Sequence, residues 1–326
     1  MTRLLAAVDG GNSKTELVLF DDTGQVLATA RGGGTNPQKV GLDRVVGLIG
    51  ELLGQAQVEA DLLGTRVDVL AAFLAGLDFP AEVSAANDAL TEARLADQFV
   101  VDNDTFALLH GAATRPYGVA VVCGAGINAV GIAKSGQRSS FLALGRISGD
   151  WGGSLCLGRE ALWYAARAED GRGESSVLRD IICAHFGTAS VVDVISRVHV
   201  GDISDVQLAE VVPEMFKPEH ADDHVIAELL ARQATEVATM AEVMLDWTEL
   251  RTTEADVVLG GALLTAGHQA LDGSIHERLA ATAPHAHVRS IDVRPAAGAA
   301  VAALGTIDAG PDAVQRIKTQ LGRESW

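Results

Sequence analysis

Apolar positions along the chain fall into two rhythms. Short apolar runs end abruptly in acids and glycines: residues 3–8 close in Asp9-Gly10-Gly11, residues 15–20 close in Asp21-Asp22-Thr23-Gly24, and residues 25–30 follow. Three strands joined by turns are predicted. Residues 37–56 then carry Val40, Val45, Leu48, Ile49, Leu52 and Leu53 at helical spacing, and residues 67–74 return to a strand. A helix over 80–95, a strand over 98–101 and a helix over 105–113 complete a β-β-β-α-β-α-β-α order, which builds a mixed sheet with helices on its faces.

The same order recurs. Residues 117–124 and 127–133 pattern as paired strands, with a third near 141–144; a strand over 256–259, a helix after Gly261, a strand over 287–293 and a helix over 295–304 follow. Between them residues 148–248 are mostly helical and charged, broken at Gly171-Arg172-Gly173-Glu174 and Lys217-Pro218-Glu219, and read as a helical insertion. The pattern divides the chain into an N-terminal α/β domain over 1–115 and a C-terminal one over 116–326, ending in a polar, frayed stretch over 320–326. A length of 326 residues agrees with two cores and a cleft between them.

Composition narrows the partners. With 43 acidic and 25 basic residues the net charge is −18, which repels nucleic acid and anionic membranes. A phosphorylated ligand therefore needs backbone amides, a metal ion or a few placed cations. No stretch approaches the roughly 20 apolar residues that span a bilayer, and the first apolar run is too short for a signal peptide, so a cytoplasmic protein is expected. Cys123, Cys156 and Cys183 lie far apart without a C-x-x-C pair, which predicts buried thiols rather than a disulfide framework, zinc site or iron–sulfur site.

Candidate chemistry concentrates at the glycine turns. In V-D-G-G-N-S-K-T, residues 8–15, a strand ends in an acid and two glycines free backbone amides to face an anion. Asp9 is like-charged with phosphate but can hold Mg²⁺ through water beside it; the plainer reading is a hairpin with an Asx turn. The segment is neither a Walker A loop nor a G-x-G-x-x-G turn. A second hairpin, C-G-A-G-I-N-A-V over 123–130, opens the second domain. In V-V-D-N-D-T, residues 100–105, Asp102, Asn103 and Asp104 arrive where a helix starts, either as an N-cap or as a carboxylate presented to take a proton. Lys14 either touches phosphate or is solvated. Trp151 either stacks on a sugar or packs its turn. His220 and His224 stand at metal-ligand spacing, or open a helix with Asp222 and Asp223 as first-turn acids.

In this order the segments resemble the N-acetylglucosamine kinase branch of the BadF/BadG/BcrA/BcrD ATPase family, within the actin, chaperone and sugar-kinase superfamily, over nearly the whole chain. The resemblance implies two actin-like (ribonuclease H-like) domains and ATP-dependent phosphorylation, at the 6-hydroxyl, of an amino sugar such as N-acetylglucosamine or glucosamine. D-G-G-N-S-K-T matches the first phosphate motif, implying phosphate contacts from Gly10, Gly11, Asn12, Ser13, Lys14 and Thr15, with Mg²⁺ near Asp9. G-A-G-I-N matches the second, implying Gly124, Gly126 and Asn128, although Ala125 and Ile127 stand where the family often has hydroxyls. L-G-G-A resembles the adenosine motif, Gly260 and Gly261 leaving room for the nucleotide. G-T-N-P makes Asn36 a sugar contact, N-D-T makes Asp104 the general base, and S-G-D-W-G-G makes Asp150 a second sugar contact. A homodimer through the second domain is also implied.

Two other classes compete. The broad family contains ATP-hydrolysing activators of reductases and dehydratases, which need cluster cysteines at an interface; the spacing of the three cysteines disfavours this. A silent sugar sensor is disfavoured by the intact Asp9, Asp104 and Asp150 and by the lack of a DNA-binding segment before the first strand. The choice among N-acetylglucosamine, glucosamine, N-acetylmuramic acid and a plain hexose rests on side chains that the motifs do not identify.

Overall fold

The computed structural model describes residues 2–291 and 294–322. Asp292 and Val293 of the last predicted strand and residues 323–326 of the polar terminus lie outside the described residues.

Strands β1 (Leu4–Gly10), β2 (Lys14–Asp21) and β3 (Val26–Gly33) form an antiparallel meander. Helices α1 (Pro37–Val40) and α2 (Leu42–Glu59) lead to β4 (Val69–Leu74), α3 (Pro80–Glu92), β5 (Gln98–Asn103) and α4 (Thr105–Ala112). The predicted helix over 37–56 is thus two helices, broken at Gly41, whose φ of 81° lies in the left-handed region that glycine tolerates. β4 runs parallel to β1, and β5 parallel to β4, giving the sheet order β3-β2-β1-β4-β5. β4 is buried on both faces, which is why it reads as an unbroken apolar run.

A second unit repeats the plan. β6 (Gly118–Cys123), β7 (Ile127–Ile132) and β8 (Arg138–Ser140) form its meander. Helices α5 (Ser154–Glu169), α6 (Leu178–Phe186), α7 (Val191–His199), α8 (Asp205–Ala209), α9 (Val212–Met215) and α10 (His224–Trp247) form the insertion. Then come β9 (Ala255–Gly260), α11 (Ala262–Thr265), α12 (Gln269–Thr282), β10 (Ala286–Ser290), α13 (Pro295–Gly305) and α14 (Pro311–Gln320). The second sheet runs β10-β9-β6-β7-β8, the same topology read from the other edge.

Two expectations need correction. The third strand of the second meander is not at 141–144. The tight turn after Ala133, closed by the Ala133 amide on the Gln137 carbonyl at 2.8 Å, brings the polar Arg138 directly opposite Ile132, and a polar edge strand has no apolar run to mark it. The chain after Pro295, grouped by sequence with the second domain, packs on the first sheet. Alanine-rich α13 lies on β1, β4 and α4, so close that a Cβ on Gly298 would sit 1.8 Å from the Ala107 carbonyl oxygen. Helix α14, which the patterning did not predict, docks on the β2–β3 turn, where Gln320 accepts the Val26 amide at 2.7 Å. Both lobes therefore share one apolar layer, running from Leu5 and Phe73 through Phe106 to Val258 and Leu304.

Candidate active site

The first glycine hairpin is held from outside. The Gly11 amide donates to the Lys14 carbonyl at 2.9 Å, and the Thr35 amide donates to the Gly11 carbonyl at 3.1 Å. Thr35 also meets Thr15 hydroxyl to hydroxyl at 2.8 Å. Thr15 is buried, so its side chain is committed to this brace, whereas Asn12, Ser13 and Lys14 stand at the exposed tip. Asn36 is pinned: its Nδ2 donates to Asn12 Oδ1 at 2.8 Å and its Oδ1 caps α1 by accepting the Gln38 amide at 2.9 Å. Gly76, at φ 80°, is the floor beneath it; a Cβ there would lie 2.3 Å from Asn36 Oδ1.

Asp9 at the end of β1 and Asp104 after β5 line one cavity of about 220 Å³ with Thr105, Val122, Gly261 and Pro295. The two carboxylates predicted as metal holder and base thus face one space, together with the ends of second-lobe strands. Burial, then the charges of Asp104 and Glu16, pushes the Asp9 carboxyl up to about 7. Burial, then the Asp78 charge, pushes Asp104 up to about 6, against hydrogen bonds from Thr105. Asp104 does not cap α4. Asn103 Oδ1 takes the Thr105 amide at 3.0 Å instead, so the Asp104 side chain makes no capping bond at this helix start.

Two groups here carried no sequence signal. Asp78 accepts from Asn103 Nδ2 and Gln38 Nε2, each at 3.1 Å, and burial raises its carboxyl. Burial also pushes Glu16 up, but hydrogen bonds from Arg294 (Nε to Oε2, 2.6 Å) and Arg31 (2.9 Å) outweigh it and hold the carboxyl below its ordinary value. These partners lie far apart in sequence, so no local motif could have announced them.

The second hairpin is more open. The Gly124 amide closes on the Gly126 carbonyl at 2.9 Å, while the Ser154 and Leu155 amides back the loop at Gly124 (2.8 Å) and Ala125 (3.0 Å). A Cβ on Gly126 would meet nothing. Beside it lies an apolar pocket of about 270 Å³ whose walls include Ala209, Val212, Leu263 and His268, two of them supplied by the helical insertion. A Cβ on Gly260 would meet Leu108 at 2.5 Å, and one on Gly261, at φ 90°, would meet the Cys123 carbonyl oxygen at 2.6 Å, so both positions are packed too closely for a side chain. Asn128 turns its Nδ2 to Thr105 Oγ1 (3.0 Å) and Asn103 Oδ1 (3.3 Å), linking this loop to the Asp104 segment across the cleft.

Asp150 is held by its own turn, accepting from Ser148 Oγ at 2.6 Å and the Gly145 amide at 3.0 Å, and does not line the Asp9–Asp104 cavity. Trp151 is 7% exposed and the Arg232 guanidinium lies 4.1 Å from its ring centroid, so it packs the turn. His220 and His224 diverge, toward Glu214 (3.7 Å) and Glu174 (3.3 Å), and Asp223 caps α10 by accepting the Ile226 amide at 3.1 Å. Cys123 and Cys183 are buried and Cys156 half-buried; burial pushes the Cys123 thiol up to about 12.

The profile of the BadF/BadG/BcrA/BcrD ATPase family matches residues 7–303. The chain belongs to this family. Over 316 residues it is 22% identical to an N-acetyl-D-glucosamine kinase of Dictyostelium discoideum, covering 93% of this chain and 98% of that one. It is 21% identical over 262 residues to an N-acetylmuramic acid/N-acetylglucosamine kinase of Clostridium acetobutylicum, covering 80% and 86%. Among solved structures, one described as an N-acetylglucosamine kinase from Chromobacterium violaceum superposes with a TM-score of 0.67 at 23% identity, covering 93% and 99%. A ROK family glucokinase from Streptomyces griseus, solved with glucose and AMPPNP, superposes at 0.54 and 16%, covering 92% and 98%. The fold of this family member is therefore the two-lobed α/β fold of these proteins.

Proposed function

We propose that the chain is an ATP-dependent kinase that phosphorylates the 6-hydroxyl of an amino sugar, N-acetylglucosamine or glucosamine. The observation that carries this reading is the Asp104 carboxylate, half-buried, free of any capping bond to α4 and raised to about 6, in one cavity with Asp9 and the strand ends of the opposite lobe. The names of the relatives, kinases of N-acetylated amino sugars, support the acceptor class.

The residues present fit ATP and Mg²⁺. The apolar pocket beside Gly124 suits a nucleobase, and the open amide turn at Gly126 suits phosphate oxygens. Asp9 sits among acids that raise its proton affinity, an environment in which a bound cation is favoured. Mg²⁺, when bound, supplies positive charge beside the phosphates. Asp104 accepts the proton of the acceptor hydroxyl as its oxygen bonds to the γ-phosphorus and the bond to the departing ADP breaks. Asn36 and Asp150 orient the sugar; each Asn36 amide atom already makes one hydrogen bond and keeps one N–H or one lone pair for a ligand. Closure of the lobes keeps water from replacing the sugar as acceptor. No observation favours the activator reading, because Cys123 and Cys183 point into the second-lobe core.

The test is ADP release with Mg-ATP and glucosamine, N-acetylglucosamine, N-acetylmuramic acid, N-acetylmannosamine or glucose, with Asp104→Ala alongside. Turnover with one amino sugar that is lost in the variant is expected. Absence of sugar-dependent turnover, or full activity in the variant, refutes the reading.

A further inference from the structure

Helix α4 starts beside Asp104, and at its other end the lobes enclose a second cavity of about 650 Å³, roughly three times the size of the first. Leu109, Ile132 and Val301 give it an apolar lining, and Arg115, Arg138 and Lys318 line it as well. In a chain of net charge −18, this is a local reversal of the field. Arg115 pairs with Glu254 (2.8 Å) and Asp256 (3.1 Å), Arg138 pairs with Asp102, and behind the wall Arg289 lies 3.5 Å from Asp256 and donates to the Ala112 carbonyl. Lys318 has no carboxylate partner among the described residues, so four cations share three carboxylates. Burial, then the Arg289 charge, lowers the Lys318 ammonium. His110 Nε2 in the lining, and Arg289 Nε behind it, are shut off from water without a hydrogen-bond partner among the described residues.

We infer that this cavity binds a small organic phosphate, with its anionic head between Lys318 and the Arg115 and Arg138 guanidinium groups and its apolar body over Leu109 and Val301. The volume falls within the roughly 300–1,000 Å³ of small-molecule sites and exceeds what a bare inorganic anion fills. Guanidinium forks match phosphate oxygens two at a time, and the uncompensated Lys318 adds the charge that a phosphate neutralises. The site is also placed to sense the lobes. Leu109 belongs to α4, Ile132 and Arg138 to the second sheet, and Lys318 to the returning α14. The Arg138–Asp102 ion pair crosses from the second sheet to the first, two residues before Asp104. A phosphate that draws on Arg138 therefore competes with the contact that ties β8 to β5, and it shifts the lobe equilibrium by as much as it prefers one arrangement.

Calorimetric titration with phenyl phosphate, in excess ADP to fill any nucleotide site, tests this on the wild-type chain, Lys318→Glu and Lys318→Arg, with thermal melts to confirm that both variants are folded. Binding does not depend on the kinase reading. Phenyl phosphate is expected to bind the wild type, to bind Lys318→Glu at least about tenfold more weakly, and to bind Lys318→Arg within about threefold of wild type. Inorganic phosphate and benzyl alcohol, which carry only the head or only the body, are each expected to bind at least about tenfold more weakly than phenyl phosphate. No heat at millimolar phenyl phosphate, or equal affinity in wild type and Lys318→Glu, overturns the site. Inorganic phosphate binding as tightly as phenyl phosphate overturns the organic ligand.

Discussion

The two glycine hairpins occupy equivalent places in two sheets of the same topology, yet they are built differently. The first is braced by side chains, through Asn12 on Asn36 and Thr15 on Thr35, and carries the half-buried acid Asp9. The second is backed by the α5 amides, ends in Cys123 and leaves open space over Gly126. One topology thus serves two chemistries: the first lobe fixes carboxylates in position, and the second offers a backbone cradle beside an apolar pocket. The helical insertion lines that pocket and has no counterpart in the first lobe.

The sharpest break of this comparison is Asp104→Asn, which should lower kcat by about 10²–10⁴-fold with the fold retained. Asn128→Ala, on the opposite loop, should cost far less. A steady-state assay of both variants checks the asymmetry, and equal losses would refute it.

Asp9→Asn should abolish most activity and also stabilise the ligand-free protein. The folded value of about 7 lies above the ordinary 3.8, so the native state holds this proton more tightly than the unfolded chain does. The penalty for ionising Asp9 is absent below pH 4 and grows as pH rises to 7. The variant should therefore exceed wild type by on the order of 2–4 kcal/mol at pH 8 and match it near pH 4. Denaturant titrations at the two pH values measure this.

Glycine substitutions probe the bracing itself. A Cβ on Gly34 would meet the Asn12 carbonyl oxygen at 2.4 Å, so Gly34→Ala should destabilise by about 1–3 kcal/mol. Gly126→Ala adds its methyl to open space and should change stability by less than about 0.5 kcal/mol while raising the KM for ATP. Thermal melts that rank the two the other way would remove the distinction between a braced loop and an open one.

The smallest expected effect is in the pH profile. With a base near 6, kcat/KM should rise about tenfold between pH 5 and pH 7 and then level off, because only the ionised carboxylate accepts a proton. A flat profile over that range would remove Asp104 as the base.

Much of the candidate site was legible as local punctuation. Turn residues after an apolar run mark a strand end: Asp9-Gly10-Gly11 and Gly124 marked the two hairpins, and Asp102-Asn103-Asp104 marked the end of β5, each within a residue or two. Asp78 was not legible, because it stands alone in Leu77-Asp78-Phe79 and gains its meaning from Asn103 and Gln38. The packing of Gly260 on Leu108 and of Gly261 on the Cys123 carbonyl was not legible either, because sequence shows that a side chain is missing but not what lies against its place.

By itself, the sequence determined most of the strands and helices, β8 and α14 excepted, the acids at strand ends and the doubled order of elements, since these follow from the spacing of apolar residues and from turn chemistry within a few positions. Only the tertiary structure decided that α13 and α14 return to the first sheet, that Glu16 is matched by Arg294, and that Arg138 joins the lobes at Asp102. The physical reason is that periodicity reports that a face will be buried without naming the surface that buries it. Electrostatic partners, which act over a few ångströms of space, need no proximity along the chain.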